Sequence, residues 1–460
     1  MAQAITFHGA AQTVTGSKHL LEVDGKQILV DCGLFQGGRE LRERNWLPFG
    51  FDPLSLDAVI VTHAHIDHIG LLPKLIKEGY RGPLYATPGT IGLARISLPD
   101  SGRLQEEEAK YHNKHRSSRH DPALPLYTEA DAFEALKLFK PIRYNQLQSL
   151  PGGASFRFLP AGHILGSGYA EVFFENGDRI LMGGDLGRFN TPIINDPTMV
   201  EYAEYLVVES TYGDRLHSTE NAKDRLREVI QAAIQDHLTI IVPSFSIGRT
   251  QELLYYINEL QRERAIGFIP IYVDSPMGVS ATALYDKTLD DHDLDMRLRL
   301  DEGDDPLDPD GLTLVRDVNQ SKAINSMTGP MMIIAGSGMA NGGRVIHHLK
   351  HRLRRRDTLV LFTGYQAEGT MGRDLLEGAS EVTIHGQPVE VNAQVDKLNS
   401  LSAHADQGEI MHWLRGFKEP PRKTFIVHGE PKAQETLAEK IRAELGWNVI
   451  IPRQGERVEL

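Results

Sequence analysis

The feature that most constrains this chain is a run of ligand-type side chains directly after a predicted buried strand. The apolar segment LDAVIVT at residues 56–62 is followed by His63, His65, Asp67 and His68 within six positions. Imidazole and carboxylate groups are ligands that zinc prefers. Four of them on one short loop can all reach bound metal only if the backbone turns tightly around it. One zinc ion takes four ligands, but neighbouring side chains on such a short loop must point in different directions. The run therefore predicts that its ligands are divided between two ions.

Other histidines and carboxylates stand at or close to the ends of further predicted strands. They are Asp31, His163, Asp185, Glu209, His404 and His428. A single residue of this kind is usually a partly buried polar group with a structural role. Six of them beside HAHIDH favour a catalytic site at the edge of a sheet, where strand ends bring such side chains together.

The composition narrows the type of metal site and the cell compartment. Cys32 is the only cysteine against 19 histidines, which excludes an intramolecular disulfide and any zinc site built mainly from cysteines. The N-terminus lacks the basic start and long apolar run of a secretory signal, and no window approaches twenty uninterrupted apolar residues. We therefore expect a cytoplasmic protein that does not span a membrane.

The pattern of strands and helices changes near residue 210. Before it, short strands with turn signals at Asp24-Gly25 and Asn176-Gly177 dominate. After it, three units each run from an apolar strand into a helix: LTIIVPSFSIGRTQELLYYINEL, PMMIIAGSGMANGGRVIHHLKHRL and TLVLFTGYQAEGTMGRDLLEG. Strands that alternate with helices predict a parallel sheet covered by helices. From about residue 396, histidines near strand ends return.

Together with His163, Asp185 and His428, the HAHIDH run resembles the metallo-β-lactamase superfamily. Glu209 and the segments PSFSIGRTQELL, GSGMANGG, SAHAD and VHGE resemble its β-CASP branch, which contains RNA-processing nucleases such as the endonuclease subunit of mRNA 3′-end cleavage and RNase J-type enzymes. The resemblance implies an α/β fold, an αββα sandwich with an inserted β-CASP domain whose parallel sheet is flanked by helices. The implied parts are residues 1–210 and 396–460 for the sandwich and residues 211–395 for the insertion.

The resemblance also implies two zinc ions per chain and gives each of them its ligands. The first ion is implied at His63, His65 and His163, and the second at Asp67, His68 and His428, with Asp185 bridging both. Asp31 is implied as the residue that orients a ligand histidine. Glu209 and His404 match the branch's carboxylate–histidine pair near the leaving group, and Asp67 is counted with them as catalytic. Mn²⁺ is the alternative ion, because imidazole and carboxylate also accept it.

The activity that the resemblance implies is hydrolysis of RNA. Two adjacent zinc ions would lower the pKa of a shared water, so that hydroxide forms near neutral pH and attacks a phosphodiester. His404, oriented by Glu209, would protonate the departing O3′ and leave 5′-phosphate and 3′-hydroxyl ends. His428 at the last metal position is similar to the RNA-acting members, which implies single-stranded RNA as the substrate. Homodimers are common among similar proteins, so a homodimer is a further expectation.

Two strand-to-helix junctions of the implied insertion offer phosphate contacts. The loop GSGMANGG leads from Ser337 to Arg344, and the loop SFSIGR carries Ser246 and Arg249. Glycines let a backbone approach an anion and a helix N-terminus offers free N–H groups, although a glycine-rich loop is often only a tight turn. The segment RVIHHLKHRLRRR adds basic side chains that form either an RNA-tracking strip or an ordinary solvated face.

The negative charge of the chain is concentrated in one segment. The formal net charge is −13, from 49 Lys plus Arg and 62 Asp plus Glu, which taken alone speaks against a nucleic-acid-binding protein. Residues 281–310 carry eleven acids and three bases, so −8 of this charge lies in a segment without site motifs. We expect that segment to be a solvated insertion, and we expect a positive local field at a site that holds two zinc ions.

Several alternative functions stay open. The endonuclease reading rests on the absence of an added domain after His428, and a 5′-exoribonuclease of the same branch is its nearest alternative. A small-molecule metallohydrolase would not need a second domain of this size. A di-iron oxidoreductase usually has Glu where His65 stands, and a catalytically dead scaffold would have lost metal ligands that this chain retains.

Overall fold

The computed structural model describes residues 3–118, 120–364, 366, 369–398 and 401–460, which form two compact units. The first unit contains Met1–Leu216 and His404–Leu460, and the second contains His217–Ala403. The second unit is therefore inserted, along the sequence, between the two segments of the first unit. Among the described residues, no helix combines the length and the apolar character that crossing a bilayer requires.

One seven-stranded sheet forms half of the sandwich in the first unit. Its strands are β1 (Gln3–Phe7), β2 (His19–Val23), β3 (Lys26–Val30), β4 (Ala58–Ile60), β5 (Leu84–Ala86), β6 (Phe139–Pro141) and the last strand of the chain, β22 (Arg457–Glu459). The order across the sheet is β22-β1-β2-β3-β4-β5-β6. The predicted Asp24-Gly25 turn joins β2 to β3, and both of its residues have the positive φ that a tight hairpin turn requires.

A second seven-stranded sheet forms the other half of the sandwich. Its strands are β7 (Gln148–Ser149), β8 (Ser155–Pro160), β9 (Gly168–Phe173), β10 (Arg179–Met182), β11 (Tyr205–Glu209), β20 (Lys423–Val427) and β21 (Val449–Ile450). The order is β21-β20-β11-β10-β9-β8-β7. Because β10, β11 and β20 run parallel to one another, their carboxyl ends meet at one edge of this sheet.

Seven α-helices complete the described part of the first unit. They are α1 (Arg39–Arg44), α2 (Ile66–Ile69), α3 (Leu72–Lys77), α4 (Pro88–His115), α5 (Glu129–Leu136), α13 (Gln407–Leu414) and α14 (Pro431–Leu445). Phe7 from the first sheet and Phe156 from the second belong to one buried cluster between the sheets. Trp413 of α13 and Leu437 of α14 join a separate cluster with Tyr169 of the second sheet. This layering is the αββα sandwich that the resemblance implied.

The second unit is a parallel sheet between two layers of helices. Its strands are β12 (Thr239–Pro243), β13 (Ile271–Asp274), β14 (Leu312–Leu314), β15 (Met331–Ala335), β16 (Thr358–Phe362) and β19 (Gln394–Lys397), with a separate hairpin of β17 (Glu381–Ile384) and β18 (Gln387–Glu390). Its helices are α6 (Ala222–Gln235), α7 (Arg249–Arg262), α8 (Pro276–Tyr285), α9 (Leu294–Asp301), α10 (Val318–Ile324), α11 (Gly343–Arg352) and α12 (Met371–Leu376). The sheet order is β14-β13-β15-β12-β16-β19. Ile240 and Ile241 of β12 belong to different buried clusters, as expected for a sheet covered on both faces.

The acidic segment 281–310 is an integral, folded part of the second unit rather than a separate insertion, while most of its acidic side chains are solvated as predicted. Met296 is fully buried, and the mostly buried guanidinium of Arg299 donates to Asp304 at 2.8 Å and to Asn258 Oδ1 at 2.5 Å. Arg299 also lies over the ring of Tyr255. Most of the carboxylates still face solvent, because they alternate along α9 and its flanking turns with the side chains that pack inward.

Replacing Arg299 with Met should destabilise the second unit. The change leaves Asn258 and Asp304 without their charged donor, and hydrogen bonds to charged groups contribute roughly 1.5–3 kcal/mol each. We expect urea denaturation to show a free energy of unfolding lower by about 2–3 kcal/mol. The control is Asp301→Asn in the same helix, an exposed site where the change should stay within about 0.5 kcal/mol. Equal stability of the two variants would contradict the folded role of the segment.

Candidate metal centre and active site

The HAHIDH run forms a tight loop between β4 and α2. His65 is the N-cap of α2, and Asp67 and His68 lie in its single turn. The peptide groups of this turn are fixed from outside, since Ser17 N donates to Asp67 O at 2.9 Å and Cys32 N donates to His68 O at 2.7 Å. The close approach leaves no room beside Gly33, where a Cβ would overlap the carbonyl oxygen of Asp67.

Four donor atoms converge on one side of the loop. His65 Nδ1 lies 3.2 Å from His63 Nε2 and 3.0 Å from His163 Nε2. Asp185 Oδ2 lies 3.4 Å from His63 Nε2 and 3.5 Å from His163 Nε2. Four tetrahedral donors at about 2.0–2.2 Å from one ion are about 3.3–3.6 Å apart, so this spacing fits a zinc-sized cation.

A second set of donors gathers around the other oxygen of Asp185. His428 Nε2 lies 3.3 Å from Asp67 Oδ2 and 3.2 Å from His68 Nε2. Asp185 Oδ1 lies 3.2 Å from His68 Nε2 and 3.6 Å from His428 Nε2. This buried oxygen has no hydrogen-bond partner in the described part of the chain, which is the situation that a bound cation relieves. The two sets therefore share Asp185, one through each oxygen.

The electrostatics of the two donor sets differ. Burial lowers the pKa of His63 to about 3 and that of His65 to about 4, so both imidazoles are neutral. Burial acts in the same direction on His68 and His428, but the nearby carboxylates, with Asp185 foremost, raise the pKa of both. Positive charge is thus drawn to the second donor set, and a metal ion supplies that charge while the ring nitrogens keep their lone pairs for coordination.

Asp31 lies behind the donors rather than among them. One of its oxygens accepts from Thr62 N at 2.8 Å, and the other accepts from Thr62 Oγ1 at 2.8 Å and contacts His68 Nδ1 at 2.7 Å. Its φ of 61° is left-handed, as is the φ of 52° at His428, and both residues directly follow a strand. This turn of the backbone directs each side chain toward the donors at a conformational cost that active sites often carry.

Glu209 and His404 stand beside the shared carboxylate. Glu209 Oε1 accepts from Leu186 N at 2.7 Å and lies 3.1 Å from His404 Nδ1. His404 Nδ1 is also 3.8 Å from Asp185 Oδ2. Burial would lower the pKa of His404, but the carboxylate of Glu209 outweighs it and raises the pKa to about 9. The ring is therefore protonated at neutral pH before any cation binds.

The four residues predicted as phosphate contacts all lie in the second unit. Ser246 Oγ is 2.8 Å from Ser275 Oγ, and Arg249 pairs with Glu252 at 3.6 Å. Ser337 lies in the turn before α11, where its N–H bonds to Gly342 O. The guanidinium of Arg344 donates to Asp274 Oδ1 at 2.6 Å and to two backbone carbonyls, so internal acceptors already occupy it.

Sequence reasoning missed three residues that hold the site in place. Thr62 and Thr211 place hydroxyls between a carboxylate and a ligand histidine. The buried ammonium of Lys18 donates to Gly16 O at 2.9 Å and to Gly33 O at 2.8 Å, and Gly33 packs against Asp67 of the HAHIDH loop. Both threonines lie within two residues of a predicted site residue, which was a usable signal, whereas the role of Lys18 depends on contacts that no local pattern shows.

Three family models match successive parts of the chain. They are the metallo-beta-lactamase superfamily over residues 16–85, the Beta-Casp domain over residues 250–375, and the Zn-dependent metallo-hydrolase RNA specificity domain over residues 388–452. The metallo-beta-lactamase and Beta-Casp models confirm the resemblance to the β-CASP branch, whereas the RNA specificity domain was not predicted from the sequence.

Several proteins are similar over nearly the full length of the chain. Ribonuclease TTHA0252 of Thermus thermophilus is 38% identical over 454 residues, with 98% of each chain covered. Transcription termination factor FttA of Methanocaldococcus jannaschii is 30% identical over 97% of this chain and 70% of its own length. An RNase J-like protein of the same archaeon is 29% identical, with 98% of each chain covered. A crystal structure of an Enterococcus faecalis protein of unknown function aligns over 100% of both chains with a TM-score of 0.57 and 13% identity, which is a likeness of fold alone.

Replacing Gly33 with Ala should weaken metal binding without a general loss of structure. The new methyl group would push against Asp67 O and displace the turn that carries two of the donors. We expect the apoprotein to bind Zn²⁺ at least about tenfold more weakly, as measured by competition with a chromophoric chelator. The control is Gly38→Ala, where φ is −60° and a Cβ meets no atom within 4 Å. Metal affinity equal to wild type in Gly33→Ala would contradict this account of the loop.

Proposed function

Because this chain belongs to the β-CASP branch of the metallo-β-lactamase superfamily and is a metal-dependent hydrolase, we propose that it is a zinc-dependent endoribonuclease. Its substrate would be single-stranded RNA, and its products would carry 5′-phosphate and 3′-hydroxyl ends. The observation that carries the proposal is the pair of donor sets that share Asp185, with His404 at 3.8 Å from the shared carboxylate. A 5′-exoribonuclease of the same branch is the second candidate, as in the sequence analysis, and an RNase J-like protein is similar over 98% of its own length.

The donor residues form two binding positions, one for each of two ions. His63, His65 and His163 would hold one Zn²⁺, while Asp67, His68 and His428 would hold the other, and Asp185 would contact both. When bound, the ions supply a water of lowered pKa and neutralise charge on the phosphoryl oxygens. Mn²⁺ remains the alternative ion, because the donors are nitrogen and oxygen atoms only.

We assign to His404 the role of the general acid that protonates the leaving oxygen. Hydrolysis adds the oxygen of water to phosphorus and breaks the P–O3′ bond, and the departing O3′ needs a proton. Glu209 holds Nδ1 of His404, so the proton available for transfer is the one on Nε2. In this mechanism the ring gives its proton to O3′ and recovers one from solvent before the next turnover.

The proposal also includes the phosphate contacts of the second unit, the oligomeric state and the location of the protein. Ser246, Arg249, Ser337 and Arg344 remain our proposed phosphate contacts, and a phosphate at Arg344 would compete with Asp274 Oδ1 and Arg316 O for its guanidinium. A homodimer and a cytoplasmic location remain predictions from the sequence.

The proposal is tested by cleavage of one RNA that is labelled either uniformly or at its 5′ end. Internal cleavage releases labelled fragments of intermediate length, whereas a 5′-exonuclease releases labelled mononucleotides from the first time point. His404→Ala should reduce the cleavage rate by about 10²-fold or more at saturating Zn²⁺, because the leaving group loses its acid. The exposed His412 of α13 provides the control, since His412→Ala removes an imidazole outside the site.

Three results would contradict the proposal in different ways. Mononucleotides released from the 5′ end would replace the endonuclease with the exonuclease. Unchanged cleavage by His404→Ala would remove His404 as the acid. Turnover of a chromogenic lactam or thioester without any cleavage of RNA would assign the site to small molecules.

A further inference from the structure

The side chain of Thr211 lies between the acid pair and a metal ligand. It stands two residues after the end of β11, where Glu209 is the last residue of the strand. Its Oγ1 is 2.5 Å from Glu209 Oε2 and 3.1 Å from His428 Nδ1. Its backbone N–H also donates to Glu209 Oε2, at 3.2 Å. The hydroxyl therefore touches both halves of the site without being a metal ligand or an acid itself.

The protons of this contact can be assigned from the chemistry of the groups. An ionised carboxylate only accepts, and a hydroxyl has one proton and two lone pairs. The Thr211 proton therefore points to Glu209 Oε2, its shortest acceptor, in preference to His428 O at 3.2 Å. The hydroxyl oxygen is then left to accept, so His428 Nδ1 must be the protonated nitrogen of that ring.

This assignment fixes the other ring nitrogen of His428. In the neutral form of the ring, which is the form that binds a cation, a proton on Nδ1 leaves the lone pair on Nε2. Nε2 is the atom that lies 3.2 Å from His68 Nε2 and 3.3 Å from Asp67 Oδ2, inside the second donor set. The hydroxyl of Thr211 thus selects the tautomer that can coordinate a cation and holds the ring in that orientation.

The same hydroxyl reaches the proposed acid through Glu209. Oε2 of Glu209 is held by Thr211, while Oε1 accepts from Leu186 N and contacts His404 Nδ1. A continuous chain of hydrogen bonds therefore runs from His404 through Glu209 and Thr211 to His428. We propose that Thr211 is a positioning residue whose hydroxyl couples the second metal position to the His404–Glu209 pair. The link to His428 stands on the donor geometry alone, and the link to His404 rests on the proposed function.

The first donor set contains the same arrangement. Thr62 Oγ1 donates to Asp31 Oδ2 at 2.8 Å and lies 3.2 Å from His63 Nδ1. By the same count of protons, His63 is protonated on Nδ1 and presents Nε2 to the donors around Asp185. Each donor set therefore contains one histidine held by a threonine hydroxyl whose own proton is directed by a buried carboxylate. The recurrence at two strand ends far apart in the chain favours a positioning role over a chance contact.

Three variants distinguish the effect of the Thr211 hydroxyl from the effects of its methyl group and of a neighbouring hydroxyl. Thr211→Val keeps the shape of the side chain and removes the hydroxyl, whereas Thr211→Ser keeps the hydroxyl and removes the methyl group. Ser210→Ala is the matched control, because the neighbouring Ser210 hydroxyl donates to the backbone oxygen of Val427 and to no ligand. Thermal unfolding of the three apoproteins checks that each variant is folded.

The first measurement is titration of the apoproteins with Co²⁺, followed by the visible d–d absorption of the bound ion. We expect Thr211→Val to bind the weaker of two ions about 10–100-fold less tightly, the usual effect of losing a group that orients a ligand. Thr211→Ser should restore the affinity to within about threefold, and Ser210→Ala should match wild type. Wild-type affinity for both ions in a folded Thr211→Val protein would overturn the proposal.

The second measurement uses the wild-type holoprotein and so does not depend on the folding of a variant. Neutron diffraction from crystals grown with zinc should show deuterium on Nδ1 of His428 and between Thr211 Oγ1 and Glu209. Deuterium on His428 Nε2 instead would overturn the proposal.

The third measurement separates the metal claim from the proposed function. With both metal positions saturated, Thr211→Val should lower kcat for RNA cleavage by about tenfold with little change in KM, because His404 loses part of its orientation. Unchanged kcat would refute the link to His404 while leaving the metal titration to decide the link to His428. If the wild type cleaves no RNA, the proposed function fails, and the Co²⁺ titration still decides the role of Thr211 in metal binding.

Discussion

The site depends on the burial of one carboxylate between imidazole groups. Asp185 is almost fully buried, and its two oxygens face different sets of donor atoms. An ionised carboxylate is costly to bury unless opposite charge or hydrogen bonds compensate it, and Oδ1 lacks a hydrogen bond in the described part of the chain. His63 cannot provide that charge, because burial keeps its pKa low, whereas His68 and His428 can provide it only by holding protons. Divalent cations provide it while these rings stay neutral, so metal binding and the stability of this edge of the sandwich are linked.

The parallel strands of the second sheet bring the donors together. Glu209 ends β11, His428 directly follows β20, and Asp185 lies three residues after β10. Since these strands are neighbours in one sheet, residues more than 200 positions apart in the chain reach the same edge. The loop after β4 of the first sheet supplies His63, His65, Asp67 and His68, and His163 follows β8 of the second sheet. The same edge holds the acid pair, so donors and acid share one rigid support, which is what precise orientation for catalysis requires.

Much of this arrangement could be predicted from the sequence, because the informative residues stand at strand ends. The HAHIDH run and the isolated polar residues after apolar runs indicate a metal site by their residue types and positions alone. The layered fold and the inserted parallel sheet follow from the motifs. What local patterns cannot show are contacts between distant segments. The pairing of Arg344 with Asp274 is one example, and the packing of Arg299 onto Asn258 within an acidic segment is another. The positions of Thr62 and Thr211 close to predicted site residues mark them as candidates, but a threonine beside a ligand orients it only if a suitably placed carboxylate directs its hydroxyl, and the sequence does not show that contact.

The most direct test of this account is the metal content of Asp185→Asn beside that of the wild type, measured by inductively coupled plasma mass spectrometry after dialysis. Asparagine keeps the shape of the side chain but removes its charge, and its amide nitrogen cannot serve as the second bridging atom. We expect two ions per chain in the wild type and a loss at both positions in the variant. Two tightly held ions in Asp185→Asn would contradict the central claim, because the donor sets would then not depend on the carboxylate that they share.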